Sequence, residues 1–181
     1  MSDADTWSEA ELVRVARAAC DATPDPCEGV VVAASTALLA LLIIHDRGLP
    51  DGFRLIRRSD VIAVERLKYA DFHAEVLRLR GAPRPVWPEV DLSSTAAALQ
   101  SLRRAGEMLA VCFDGEPDAN WVGVVTEIRD EADEFILRPI LPGGRWAEEP
   151  DTWPISACRQ IDFGGEYVRG YALYAAAHSE P

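Results

Sequence analysis

Three closely spaced prolines constrain the fold of this chain more than any other feature. Pro83, Pro85 and Pro88 lie within six residues of one another. Proline fixes its own φ angle and has no backbone N–H to donate, so such a stretch forms a stiff connector rather than a helix or a central strand. The sequence therefore predicts a connector at 83–92, an N-terminal unit at 1–82 and a C-terminal unit at 93–181.

The first unit reads as a helix, several short strands and a short aromatic helix. A capping box at 8–11 predicts a helix over 9–21. Residues 37–44 carry Ala and Leu, which favour a helix, but they lie between two strand-like runs, and we predict a buried strand. The remaining predictions are strands at 29–35, 53–57 and 60–64, a turn at 49–52, and a helix carrying Tyr69, Phe72, Val76 and Leu77 on its apolar face.

The second unit repeats this order of elements. Ser93 or Ser94 is expected to cap a helix that carries Ala97, Leu99 and Leu102. Trp87, in the connector, is expected to fill the seam between the two units. The predicted strands are 108–113, 120–128, 135–141 and 153–163, the last as one bent strand or two short ones, and a helix over 167–174 ends the unit.

The matching order predicts an internal duplication, in which residues 59–64 align with 156–161. The fold class is therefore α+β and rich in strands. We expect two tandem small barrels of the Sm-like or SH3-like kind flanked by short helices, because closure of a sheet removes its exposed edges. The alternative is one continuous, bent antiparallel sheet with helices packed against it.

Two short motifs carry a resemblance to other proteins. The segment 161–167, Ile-Asp-Phe-Gly-Gly-Glu-Tyr, resembles the ending of uncharacterised bacterial proteins with a duplicated small-barrel pattern. The segment 51–57, followed by Asp60 and Val61, is similar to the corresponding motif of their first half. The resemblance implies a β-rich duplicated fold and carries no activity.

Charge narrows the choice of partner. The chain has 18 Lys and Arg against 30 Asp and Glu, a net charge of −12. Seven bases and seventeen acids fall within 86–181, so that part alone carries −10. A surface of this sign repels nucleic-acid phosphates and attracts basic proteins.

Motifs for cofactors, metals and membranes are missing from the sequence. There is no phosphate-binding glycine loop, no G-x-S-x-G elbow and no C-x-x-C pair, so we expect no cofactor and no metal. The beginning of the chain is acidic, so we expect no signal peptide and reduced thiols in a cytosol. The longest apolar run, 30–44, is broken by Ser35 and Thr36 and is shorter than a membrane helix, so no membrane association is expected.

Three hypotheses for function follow from these observations. The first is a non-catalytic, acidic interaction module of a bacterial cytosol, of the inhibitor or immunity type, that binds a basic protein through Asp114, Glu116, Asp118 and Trp121. The second is a small-barrel RNA- or nucleotide-binding protein, and the third is a hydrolase with a carboxylate site between the units. The second hypothesis uses the basic residues Arg54, Arg57, Arg58, Arg66 and Lys68.

Overall fold

A computed structural model describes residues 12–18, 27–45, 48–116 and 120–178. Within these ranges the chain forms strands, three α-helices and two short 3₁₀ helices, at Arg58–Asp60 and Asp130–Ala132. The strands are β1 Leu12–Arg17, β2 Cys27–Ala34, β3 Leu38–His45, β4 Leu49–Arg57, β5 Val61–Arg66, β6 Leu109–Phe113, β7 Trp121–Arg129, β8 Glu134–Pro139, β9 Asp151–Pro154 and β10 Cys158–Phe163. The α-helices are α1 Ala70–Leu79, α2 Thr95–Ala105 and α3 Glu166–His178.

All of the described strands belong to one antiparallel sheet, in the order β5-β1-β2-β3-β4-β10-β6-β7-β8-β9. We call β1–β5 the first group and β6–β10 the second group. In each group the last strand returns to pair with the first, and β4 pairs with β10 to join the groups. The α+β class and the alternative of one continuous antiparallel sheet are confirmed. The predicted closed barrels are not found, because β5 and β9 are open edges of the described sheet.

Each group is nonetheless strongly curved. In a flat sheet the two outermost strands of a five-strand group, β5 and β4 in the first group, are about 19 Å apart, at about 4.8 Å per step. The connection from Arg57 to Val61 holds only a three-residue 3₁₀ helix, and a chain of that length spans at most about 14 Å. The first group must therefore curl, and Val61 indeed packs in one apolar cluster with Leu39 and Ile56. Pro154 and Cys158 are joined by an equally short connection in the second group.

The second strand of each group contains a glycine at the same place in the pairing. A Cβ atom added to Gly29 in β2 would lie 2.2 Å from the carbonyl oxygen of Leu42, and one added to Gly123 in β7 would lie 2.3 Å from that of Arg138. No side chain fits at either position, because the neighbouring backbone approaches too closely.

The two groups also share the positions of their pairing irregularities. The β2–β3 pairing shifts between Val31 and Ala33, and the β7–β8 pairing shifts between Val125 and Glu127, at the same distance after each glycine. The last strands shift at Ile62 and at Arg159. These registers make Val61–Arg66 the counterpart of Cys158–Phe163, which coincides with the alignment of 59–64 with 156–161.

Helices cover both faces of the sheet. Residues of α1 and α2 share the largest apolar cluster with β1–β4, β6–β8 and β10, whereas α3 packs on Met108, Ala110 and Val122 on the other face of the second group. The predicted cap of α2 is confirmed, since the hydroxyl of Ser94 accepts a hydrogen bond from the N–H of Ala97 at 3.1 Å. Residues 82–92 have no regular secondary structure. Trp87 packs against Phe53 of β4 and Phe163 of β10, so its predicted place at the seam is confirmed.

Three local predictions need correction. The helix over 9–21 is wrong for its described part, because Leu12–Arg17 forms a strand whose backbone pairs with both β2 and β5; the capping box lies outside the described residues. The predicted turn at 49–52 belongs to β4, where Gly52, at φ 73°, sits beside an irregularity in the pairing with β3. The helix at α1 is confirmed, but Tyr69 and Phe72 are exposed by 60% and 66%, and its buried residues are Ala70, Ala74 and Leu77.

The other strand predictions agree with the structure. Residues 37–44, ambiguous between helix and strand, lie largely in β3, and the segment 153–163 forms two short strands, β9 and β10. Fully buried positions along β3 explain why its sequence lacks the polar alternation of a surface strand.

Candidate functional site

Four charged side chains meet where the two groups join. Arg57, at the end of β4, donates from its two Nη atoms to both carboxylate oxygens of Asp114, at 2.8 and 2.9 Å, and from Nε to Asp60 at 3.1 Å. Arg159 of β10 donates from Nε to Asp60 at 2.9 Å and lies 3.2 Å from Asp114. We call these four residues the junction cluster. Its charges balance, two positive against two negative.

Burial makes the junction cluster important for stability. The side chains of Asp60 and Arg159 are 11% and 13% exposed, and that of Asp114 is 50% exposed. The hydrogen bonds to Asp114 are the largest cause of a raised pKa at Arg57, whereas burial and the nearby Arg17 lower the pKa of Arg159. Two of the cluster's residues come from each group, so the cluster ties the curled end of the first group to the second.

A second polar chain crosses the same junction. Arg54 of β4 donates to both oxygens of Asp162 on β10, at 2.8 and 2.7 Å, and from Nη1 to the sulfur of Cys27. Burial acts to lower the pKa of Arg54, but the charge of Asp162 and the hydrogen bonds to it outweigh burial and raise that pKa. Gln160 donates to Asp162 at 2.8 Å and accepts a hydrogen bond from Arg17.

A cavity of about 370 Å³ lies beside this chain, with Asp51, Arg54 and Asp162 among its lining residues. Two acids near an arginine are what the hydrolase hypothesis requires. Both carboxylates are already bonded, however: Asp51 accepts the backbone N–H of Glu166 at 2.7 Å, and Asp162 receives both donors of Arg54. Neither carboxylate is therefore placed as a free general base.

The predicted protein-binding residues are separated by their contacts. Asp114 belongs to the junction cluster, whereas Glu116 accepts a hydrogen bond from the indole N–H of Trp121 at 2.8 Å. Trp121 is half-buried, with its ring centroid 5.0 Å from that of Trp153. Asp118 lies outside the described residues. The structure thus brings Glu116 and Trp121 together and places Asp114 with a different set of partners.

The predicted phosphate-binding residues do not form a free basic patch. Arg54 and Arg57 donate to carboxylates, as described above. Arg66 lies 3.5 Å from Asp71, Lys68 lies over the ring of Tyr69, and Arg58 is exposed in the 3₁₀ helix. In the strand order β4 and β5 stand at opposite ends of the first group.

The buried thiol of Cys158 is unsuited to nucleophilic chemistry. Burial, followed by the neighbouring Cys112, raises the pKa of Cys158 to about 12, so its reactive thiolate is scarce at neutral pH. We expect Cys158 to resist iodoacetamide in the folded protein at pH 8 and to react after denaturation, whereas half-buried Cys112 reacts faster in the folded state. Mass spectrometry of alkylated peptides measures both rates. Equal rates for the two cysteines in the native protein would contradict this expectation.

Among residues 12–18, 27–45, 48–116 and 120–178, no group of three or more His, Cys, Asp or Glu side chains is arranged to hold a metal ion. No helix in these ranges is long and apolar enough to cross a membrane.

Free acids gather at the outer edge of the second group. Glu148, Glu149 and Asp151 lie at the beginning of β9, and Asp130 and Glu131 lie in the 3₁₀ helix that adjoins its other end. The contact at that end is a hydrogen bond of 2.9 Å from the N–H of Ile155 to the carbonyl of Asp133. We call these five acids the acidic edge. None of them forms an ion pair with another described residue.

Comparison with known proteins does not indicate a function for the chain. No protein-family model, curated protein or solved structure matches the chain.

Sequence reasoning did not predict the acidic edge as a site. The run Glu148-Glu149-Pro150-Asp151 is visible in the sequence, but nothing local shows that it begins an edge strand. The signal that would have found it is the combination of acids and prolines, which natural proteins place on the open edges of sheets.

Proposed function

We propose that the protein is a non-catalytic, acidic interaction module of a bacterial cytosol that binds a basic protein, as an inhibitor or immunity-type protein would. The observation that supports the proposal is the acidic edge, whose carboxylates have no counterions within the described parts of the chain. Negative charges gathered on one surface make its electrostatic potential more negative. This potential steers a basic partner towards the surface and accelerates the encounter.

The contacts of the acids favour β9 over the Asp114 region as the binding surface. A partner that bound Asp114 or Glu116 would have to break the hydrogen bonds that these side chains already form. The carboxylates of the acidic edge can bind a basic partner without breaking an ion pair with another described residue. Because Pro150 and Pro154 lack an N–H, β9 is poorly suited to adding a strand, and side-chain charge is left as the means of recognition.

A charge-removal experiment tests the proposal. The triple variant Glu148→Gln, Glu149→Gln, Asp151→Asn is expected to weaken partner binding roughly tenfold at low salt, since each exposed charge pair contributes a fraction of a kcal/mol. The immobilised protein is used to capture basic proteins from a bacterial lysate at low salt, and the captured partner is then titrated in a salt series.

The control removes the same number of charges elsewhere. The variant Glu75→Gln, Glu89→Gln, Glu166→Gln changes three exposed acids outside the acidic edge, and it should retain both the affinity and the salt dependence of the natural chain. If both triple variants weaken binding equally, net charge alone is responsible and the acidic edge is not the binding surface.

We also infer that the two groups are copies of one five-strand unit of the small-barrel kind, Sm-like or SH3-like, duplicated within the chain. The shared strand order, the paired glycines Gly29 and Gly123 and the matching irregularities at Ile62 and Arg159 support this inference. Unrelated sheets have no reason to place a side-chain-free position and an unpaired residue at the same points of their register.

A further inference from the structure

Within the part of the chain that the structure describes, no strand lies on the outer side of β5, and this edge carries apolar side chains. Among the described strands β5 pairs only with β1. Ile62 is 68% exposed and Val64 is 42% exposed. The counterpart of Val64 in the second group is Ile161, which is 1% exposed, because β4 lies beside β10 and covers it. An uncovered apolar edge is a template for another strand.

The pairing of β4 with β10 shows which side chains a strand added at such an edge would need. Arg54 stands directly opposite Asp162 and donates to both of its oxygens. Three residues earlier, Asp51 accepts the N–H of Glu166, the first residue of α3. The covering strand thus supplies a base opposite the acid of the last strand and an acid at the beginning of the following helix.

In the first group no described strand lies on the outer side of β5, so neither partner is supplied from that side. On the inner side Glu65 stands opposite Arg14 of β1, whose guanidinium pairs with Glu28. Glu65 is the counterpart of Asp162, is exposed, and forms no ion pair with another described residue. The helix α1 follows β5 as α3 follows β10, and no side chain caps its N-terminus. An acid placed there would be stabilised by the free N–H groups and the helix dipole.

We propose that the β5 edge binds an extended segment of a partner protein as an added antiparallel strand, with Arg or Lys opposite Glu65 and an acid three residues earlier in that segment. Strand addition supplies the main-chain hydrogen bonds, and the charge pair fixes the register. The apolar positions Ile62 and Val64 supply the buried contact.

The β9 edge of a second copy of this chain does not fit the β5 edge. The pairings Leu38 with Arg57 and Glu134 with Pro154 make Pro154 the counterpart of Arg57 and Asp151 the counterpart of Arg54. A β9 strand from another molecule would therefore place Asp151 opposite Glu65, acid against acid. Like charges directly opposite each other destabilise a strand pair.

A peptide that copies β4 is the most direct probe. The peptide Leu-Pro-Asp-Gly-Phe-Arg-Leu-Ile-Arg, identical to residues 49–57, is labelled and titrated against the full chain by fluorescence anisotropy. We expect saturable binding that weakens about tenfold when the peptide carries Arg54→Glu. The protein variant Glu65→Arg should bind the natural peptide about tenfold more weakly and should bind the Arg54→Glu peptide instead. Glu75→Arg, an exposed charge reversal on α1, should change neither affinity.

Each other outcome overturns the proposal. Absence of binding, or binding that Glu65→Arg leaves unchanged, removes β5 as the acceptor. Concentration-dependent self-association of the natural chain that Glu65→Arg abolishes would assign the edge to a second copy. The triple variant of the acidic edge should leave peptide binding intact, so failure here is distinguishable from failure of the proposed function.

Discussion

Replacing either Gly29 or Gly123 with alanine is expected to destabilise the protein by about 3 kcal/mol or more. The added methyl group would meet a backbone carbonyl oxygen at 2.2 or 2.3 Å, and a carbonyl held in a sheet pairing cannot rotate away as a side chain does. The strands would have to separate locally and lose hydrogen bonds. For a chain of this size the loss corresponds to a fall in Tm of roughly 6–12 °C, measurable by circular dichroism.

The two substitutions test the equivalence of the groups as well as the packing. Because the glycines occupy the same place in the pairing, the two losses should be similar in size. Gly170→Ala in α3 is the matched control, since its added Cβ would meet nothing within 4 Å apart from its chain neighbours and the backbone of its own helix, and alanine favours a helix. That variant should gain up to about 1 kcal/mol. A large loss at one strand glycine and none at the other would contradict the duplication.

The sequence predicted what local chemistry determines. Short β-branched runs predicted most of the strands, and Ser94 predicted the start of α2, because a cap and a strand propensity act over a few residues. The alignment of 59–64 with 156–161 matches β5 with β10, which occupy the same place in the strand order of their groups. Open edges and the joining of β4 to β10 were not predictable, since strand pairing over about a hundred residues leaves no local pattern.

The wrong predictions have the same cause, which is that contacts between residues distant in sequence leave no local pattern. Leu12, Val15 and Ala16 are spaced as on a helix, yet the free edges of β2 and β5 satisfy their backbone groups, and this tertiary pairing outweighs a weak helical preference. The sequence predicts Asp114 as a binding residue because nothing local shows its ion pairs with Arg57 and Arg159, which are distant in sequence. Charge counts identify the sign of a surface but not which of its charges are already neutralised.

Asp60→Asn is expected to be the most damaging single change in the junction cluster. The substitution leaves Arg159, which is 13% exposed, facing a neutral amide, and it weakens the contact with Arg57. Removing one partner of a buried ion pair costs up to about 3–5 kcal/mol, and the contact of Arg159 with Asp114 at 3.2 Å offsets part of that cost. Asp114→Asn should cost less, since the side chain of Asp114 is 50% exposed. Urea unfolding followed by tryptophan fluorescence measures both changes.

A surface ion pair and a double variant provide the controls for the expected effect of Asp60→Asn. Arg14 and Glu28 form an ion pair whose side chains are 55% and 33% exposed, so Glu28→Gln should cost no more than about 1 kcal/mol. Adding Arg159→Gln to Asp60→Asn removes the stranded charge together with its partner, and the double variant should recover part of the loss, as contacting residues do in a double-mutant cycle. Strictly additive losses would mean that Arg159 and Asp60 do not stabilise each other. The join between β4 and β10 would then depend on the sheet hydrogen bonds and on the pair formed by Arg54 and Asp162.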